Sequence, residues 1–244
     1  MSQNTKSGTS ENSYRVYTAG GIFTQHDLTT NVYIKESIWR QSNGKFELVL
    51  PQSKEMRDLD RPDLAVYIRN ADLSNVLLAD IILARFDGLE LDAGTVVEFM
   101  FAKFLAKPVV ILRCDSRRLG EENLDEPYNL MVKNWPRTVE VHFDSLYEFS
   151  RVLSEESEKV GNVDTFQAAI KAELKTVMQG IDETAQKIIR GLEAVLEIKS
   201  PYPHEYQEIV YKVARYSPGS GFDQLIPEED LDRLLERFRE SGTL

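Results

Sequence analysis

Four acids, Asp87, Glu90, Asp92 and Glu98, crowd the stretch FDGLELDAGTVVEF (86–99), between the apolar runs VLLADIILARF and VVEFMFAKFLA. A further acid, Asp72, precedes the first of these runs, and Tyr17 lies near the end of an earlier one, YRVYTA. Paired carboxyl groups in unlike surroundings are what chemistry at a glycosidic carbon needs. One must be ionised to attack, and the other must hold a proton for the leaving group. A helix N-terminus favours the anion, whereas partial burial and a neighbouring carboxylate favour the protonated acid. A plainer reading is available for the same residues. Thr95-Val96-Val97-Glu98 fits an S/T-x-x-E capping box, in which Glu98 returns to the Thr95 amide. Asp72 could equally cap a helix, a role worth about 1 kcal/mol. Local pattern leaves both readings open.

The elements that must position these side chains alternate along the chain. Strand-like runs at 14–19, 46–50, 80–86, 108–113 and 138–143 are separated by helical patterns near 29–42, 63–79, 95–107 and 123–133, with another after 144. Strands alternating with helices imply a parallel sheet covered on both faces, and runs such as DIILA suit strands buried on both sides. The expected fold is α/β: a flavodoxin-like, doubly wound five-stranded parallel sheet with a helical C-terminal extension. In such a sheet ligands bind beyond the carboxyl ends of the strands. Tyr17, Asp72, Asp92 and Glu98 are expected to converge there, beside a tight turn at Gly20 and Gly21. Asp80 opens the third strand, so it falls at the opposite edge and reads as structural.

Residues 1–13 are polar and read as a disordered tail, 14–155 as the sheet domain and 156–244 as the helical extension. From 163 to 197, Phe166, Ile170, Leu174, Val177, Ile181, Ile188, Leu192 and Val195 form the stripe of an amphipathic helix. SPYP (200–203) breaks it, a shorter helix follows, and PEEDLDRLLERFRES begins with Pro and acids as helix N-termini do. The extension is expected to pack on the core or on a second subunit.

A net charge of −11 supplies none of the clustered Lys and Arg that nucleic acid or an anionic membrane demands. One cysteine, Cys114, excludes an internal disulfide, and His26, His142 and His204 lack metal-ligand spacing, so no metal is expected. The polar start carries no secretory signal and no run is long enough to span a bilayer, which predicts a cytoplasmic protein.

VYTAGGIF (16–23), NADLSNVLLADI (70–81), DAGTVVEFMFA (92–102) and EPYNLM (126–131) together resemble the nucleoside 2-deoxyribosyltransferases over about residues 14–150. The resemblance implies retaining, two-step transfer of 2-deoxyribose between nucleobases, without metal or organic cofactor. It implies Glu98 as the nucleophile, Tyr17 as its orienting hydroxyl, and Asp72 as the acid that protonates the departing base and deprotonates the incoming one. Asp92 would bind a sugar hydroxyl. Asn129 would reach the 5′ end of the sugar from a neighbouring subunit, and Phe23 would stack on the base. Gly20 would lie against substrate, and Glu55 or Gln52 would read the base. The implied partners are deoxynucleosides and free bases, in a homo-oligomer with sites shared between subunits. Met100 stands where members usually carry glycine, and Ile22 where some carry Trp. Two rivals share the fold: a nucleoside 5′-monophosphate N-glycosidase, in which water replaces the acceptor base, and a non-catalytic nucleoside or nucleotide sensor.

Overall fold

The computed structural model describes residues 13–53, 60–117, 128–160 and 166–244. The polar tail before Ser13 and Glu55 therefore lie outside the described residues. Strands Tyr14–Ala19 (β1), Phe46–Val49 (β2), Ile81–Arg85 (β3), Val109–Arg113 (β4) and Thr138–His142 (β5) form one sheet in the order β2-β1-β3-β4-β5. Every pairing is parallel, and Tyr17 sits opposite Val49 on one side and Ile82 on the other. This is the doubly wound α/β arrangement expected from the alternation of elements.

The two-residue period of the strands divides the core. Val16, Leu48, Ile81, Leu83, Val110 and Leu112 face one way. They pack under helices Gln25–Gln41 (α1) and Phe166–Leu196 (α5), which contribute Ile34, Ile38, Ala185, Ile188, Leu192 and Val195. Tyr17, Ala19, Ile82, Ala84, Val109 and Ile111 face the other way, beneath Leu64–Leu78 (α2) and Ala93–Phe104 (α3). The compositional change near 155 falls inside helix Ser145–Val160 (α4), and α5 lies directly on the sheet. Gly191 allows that approach. A Cβ there would lie 2.9 Å from Val141 Cγ2 and 3.2 Å from Val110 Cγ1. Gly191→Ala gains about 1 kcal/mol of helix propensity but overpacks by roughly 1–3 kcal/mol. A lowered urea midpoint with unchanged m-value is expected.

The remaining helices, His204–Ala214 (α6), Phe222–Leu225 (α7) and Glu228–Ser241 (α8), cover the outer side of α2 and α3. Tyr211, Phe222, Leu235 and Phe238 bury Leu73, Leu77 and Leu105. Buried Arg137 ties the chain end down, donating to the carbonyls of Ala106 (3.1 Å), Ile198 (2.9 Å) and Thr243 (3.1 Å). Asp80 lies at the amino edge of the sheet, accepting from the Arg15 amide (2.7 Å) and pairing with Arg237 of α8 (3.1 Å). Burial pushes its carboxyl pKa up and pulls that of neighbouring Lys107 down. Its role is structural, as its place in the sequence suggested.

Several element boundaries differ from the sequence reading, and α1 begins at Gln25 rather than near 29, with Thr24 as its N-cap. The helix expected near 123–133 is, in its described part, only a 3-10 turn at Leu130–Val132. The Asn129 side chain accepts from the Met131 amide (2.9 Å) and stops the turn from growing backwards, and Lys133 is already extended. Helix α3 begins at Ala93 rather than Thr95, with Asp92 as its N-cap.

Candidate active site

Tyr17 comes first because its strand fixes it. It lies fully buried at the carboxyl half of β1, on the face covered by α2 and α3. A buried phenol needs a partner for its hydroxyl. That hydroxyl donates to Glu98 Oε1 at 2.6 Å and stands 3.4 Å from Asp72 Oδ1. One phenolic hydrogen thus faces two carboxyl groups from two helices.

Both acids are where capping cannot explain them. The α3 N-cap is Asp92, whose Oδ2 accepts from the Thr95 amide and from Thr95 Oγ1, both at 2.8 Å. Thr95 is therefore the third residue of the helix, not its cap, and Glu98 sits in the second turn with its side chain against Tyr17. The S/T-x-x-E pattern misleads because Asp92, three residues earlier, competes for the same amide and wins. Asp72 lies in the middle of α2, which starts at Leu64, so it caps nothing. The expectation that it stands at a helix start is corrected.

A cleft of about 520 Å³ opens among the loops that follow β1 and β3, lined by Gly21, Asp27, Arg85, Asp87, Glu90, Leu91, Asp92 and Ala93. Acids dominate its wall. A larger cavity of about 720 Å³ opens toward α1, α4 and α5, sharing Asp27, Arg85 and Asp87. Tyr17, Asp72 and Glu98 line neither cavity. The smaller one is nearer the chemistry by sequence, because Asp92 and Ala93 open the helix that carries Glu98.

The other expected residues are dispersed. Phe23, in the loop between β1 and α1, is 80 % exposed beside Gly21. Gly20 is needed for a close approach, since a Cβ there would lie 3.1 Å from Arg85 Cβ. The Gln52 amide is engaged by α1, accepting from Asn31 Nδ2 (2.8 Å) and donating to the Leu28 carbonyl (3.0 Å). Asn129 is exposed and serves its own turn. Among the described residues no cluster of His, Cys, Asp or Glu is arranged to hold a metal ion. No helix there is long and apolar enough to cross a membrane.

Arg85 is the residue that sequence reading missed. It ends β3, donates to Asn31 Oδ1 and lies 3.6 Å from Asp27 and 3.8 Å from Asp87. Its side chain is almost wholly enclosed and partly neutralises the acidic wall. The available signal was a cation closing an otherwise apolar strand, IILAR. Asp87 in turn fastens the loop after β3, accepting from the amides of Cys114 (2.7 Å) and Asp115 (3.1 Å).

The family profile described as nucleoside 2-deoxyribosyltransferase matches residues 16–131, the segment that carries Tyr17, Asp72, Asp92 and Glu98. The chain belongs to this family. Nucleoside 2-deoxyribosyltransferases are enzymes, and membership supports deoxyribosyl transfer or the related N-glycosidase reaction without choosing between them. A conserved protein from Enterococcus faecalis V583 is 33 % identical, over 49 % of this chain and 84 % of that one, with a TM-score of 0.42. The 2-desoxiribosyltransferase from Leishmania mexicana is 23 % identical, over 52 % of this chain and 89 % of that one, with a TM-score of 0.41. The 2-deoxyribosyltransferase from Bacillus psychrosaccharolyticus is 18 % identical, over 63 % and 95 %, also with a TM-score of 0.41. No curated protein matches the chain.

Proposed function

We propose that this protein transfers 2-deoxyribose between nucleobases by a double displacement through a Glu98 ester. The observation that carries the proposal is the Tyr17 hydroxyl held at 2.6 Å from Glu98 and 3.4 Å from Asp72. In the first step a Glu98 carboxylate oxygen bonds to C1′ as the N-glycosidic bond breaks, and Asp72 gives its proton to the departing base. In the second step Asp72 takes a proton from the incoming base, whose nitrogen attacks C1′ and releases Glu98. Two inversions give net retention. Carboxyl groups that share one hydroxyl suit direct attack rather than activation of a water between them and the sugar. The adjacent anion also stabilises the oxocarbenium-like transition state.

Tyr17 holds Glu98 in the line of attack. Tyr17→Phe leaves the ring in the core and removes only the hydroxyl. The expected result is a fall in kcat of about tenfold to a hundredfold, scaled from the loss of single positioned donors. KM should move little, as stopped-assay kinetics would show.

Substrate charge is read from the cleft. Asp27, Asp87, Glu90 and Asp92 line it against one arginine already paired with Asp27 and Asp87. A phosphate needs charge-complementary donors, so this wall supports an unphosphorylated nucleoside. Asp92 supports the sugar: its Oδ2 is used by Thr95, and the carboxylate faces the cleft.

The deciding experiment is incubation with deoxyinosine and free cytosine or adenine, followed by chromatography. New deoxynucleoside is expected. Free hypoxanthine without a new nucleoside would identify a hydrolase, and no turnover with any base would identify a sensor.

A further inference from the structure

We infer that the larger cavity, beside α5, is a second small-molecule site for an uncharged heteroaromatic ligand bearing a ring carbonyl, such as an oxopurine. At about 720 Å³ it has the size of a small-molecule pocket. It lies on the opposite face of the sheet from Tyr17. Arg85, in its wall, follows Leu83 by two residues on β3 and so shares its side, under α1 and α5. Tyr17 points the other way, beneath α2 and α3. Phe143, Phe149, Val177, Gly180, Ile181 and Thr184 form much of the wall, and all lie beyond residue 131, where the family match ends.

Three features select the occupant. The first is Arg85, whose side chain is only 9 % exposed. Among the described residues only its Nη1 is hydrogen-bonded, to Asn31. Asp27 and Asp87 lie 3.6 and 3.8 Å away, near enough to balance the charge but outside hydrogen-bond reach. The remaining N–H groups of this enclosed fork are left to bond with whatever fills the space, and a carbonyl oxygen is the matching acceptor. The second feature is charge. Asp115 is paired with Arg117, and Glu148 with Arg151 and Lys187. Each acid and arginine of the wall therefore has an opposite partner, which suits a neutral ligand rather than a phosphate or an ammonium group. The third is the apolar lining. Ile34, Leu112 and Ile181, with the rings of Phe143 and Phe149, offer the contacts that a flat ring prefers. Gly180 keeps this space wide. A Cβ there would meet nothing within 4 Å, so close packing does not require the glycine, in contrast to Gly191. Mid-helix glycine is destabilising relative to alanine, and what it provides here is room. The Thr30 and Thr184 hydroxyls, unbonded among the described residues, line the same space and can meet ring nitrogens.

Isothermal titration of the full chain with hypoxanthine and with adenine, in the absence of any sugar donor, tests the site. Gly180→Phe fills the cavity from α5 and should remove one molar equivalent of hypoxanthine binding without lowering the melting temperature. Adenine should occupy that same site about tenfold or more weakly, because its amino group sets a donor against the Arg85 donors. Arg85→Lys keeps a positive charge beside Asp27 and Asp87 but loses the planar fork. It should reduce the preference for hypoxanthine over adenine to less than about threefold. No sugar donor is present, so these outcomes do not depend on base exchange and stay readable if the transfer reading fails. Absence of hypoxanthine binding, or equal binding of adenine at this site, would overturn the proposal. So would hypoxanthine binding that Gly180→Phe leaves unchanged, which would place the base in the catalytic cleft instead.

Discussion

Glu98→Gln is expected to abolish base exchange, with kcat falling by roughly four orders of magnitude, while the protein keeps its fold. The size follows from the role: an amide oxygen does not form a glycosyl ester, and removing a nucleophile typically costs this much or more. The retained fold follows from the local structure. Asp92 supplies the α3 cap through Thr95, so nothing in the helix start depends on Glu98. Glutamine can also keep the hydrogen bond from Tyr17, which bonds to Oε1 in the native chain. The stability comparison is therefore informative alongside the rate. Asp92→Ala should cost about 1 kcal/mol through the lost cap, and Glu98→Gln should cost much less by thermal melting. A Glu98→Gln variant that still exchanges bases, or one that mainly unfolds, would contradict the assignment.

Asp72→Asn carries the second large effect, a fall of roughly a hundredfold to ten-thousandfold, the usual range for a positioned general acid and base. The loss should depend on the departing base. Bases that leave readily without protonation should lose less in the first step, and poor leaving groups should lose more. Rates across a series of deoxynucleosides would then fall on a steeper line against leaving-base pKa for the variant than for wild type. Equal losses for all bases would point instead to Asp72 as a support for Glu98 through the shared Tyr17 hydroxyl.

The sheet was legible because its strands are short runs of buried aliphatic residues between helical patterns. YRVYTA is β1 to the residue, and the other runs match to within a residue or two. Helix starts were less legible. Asp92 and Thr95 both have cap chemistry, and only backbone geometry decides between them. The candidate site was legible as residue types, and the meeting of Tyr17 with Glu98 was expected from the sheet rule and the family resemblance rather than from any local pattern. Tyr17 and Glu98 are 81 residues apart, and no local pattern encodes their hydrogen bond. Arg85 escaped for the same reason, since its meaning comes from Asp27, Asn31 and Asp87 on other elements. The stripe of α5 was plain in the sequence, whereas the Val110 and Val141 surface that Gly191 meets was not.

The most direct measurement is mass spectrometry of the protein quenched during turnover of a deoxynucleoside, with no acceptor base added. A mass gain of one 2-deoxyribosyl unit is predicted, located on the peptide containing Glu98 and absent from Glu98→Gln. Turnover with no covalent adduct at any quench time, or an adduct on a different residue, would contradict it.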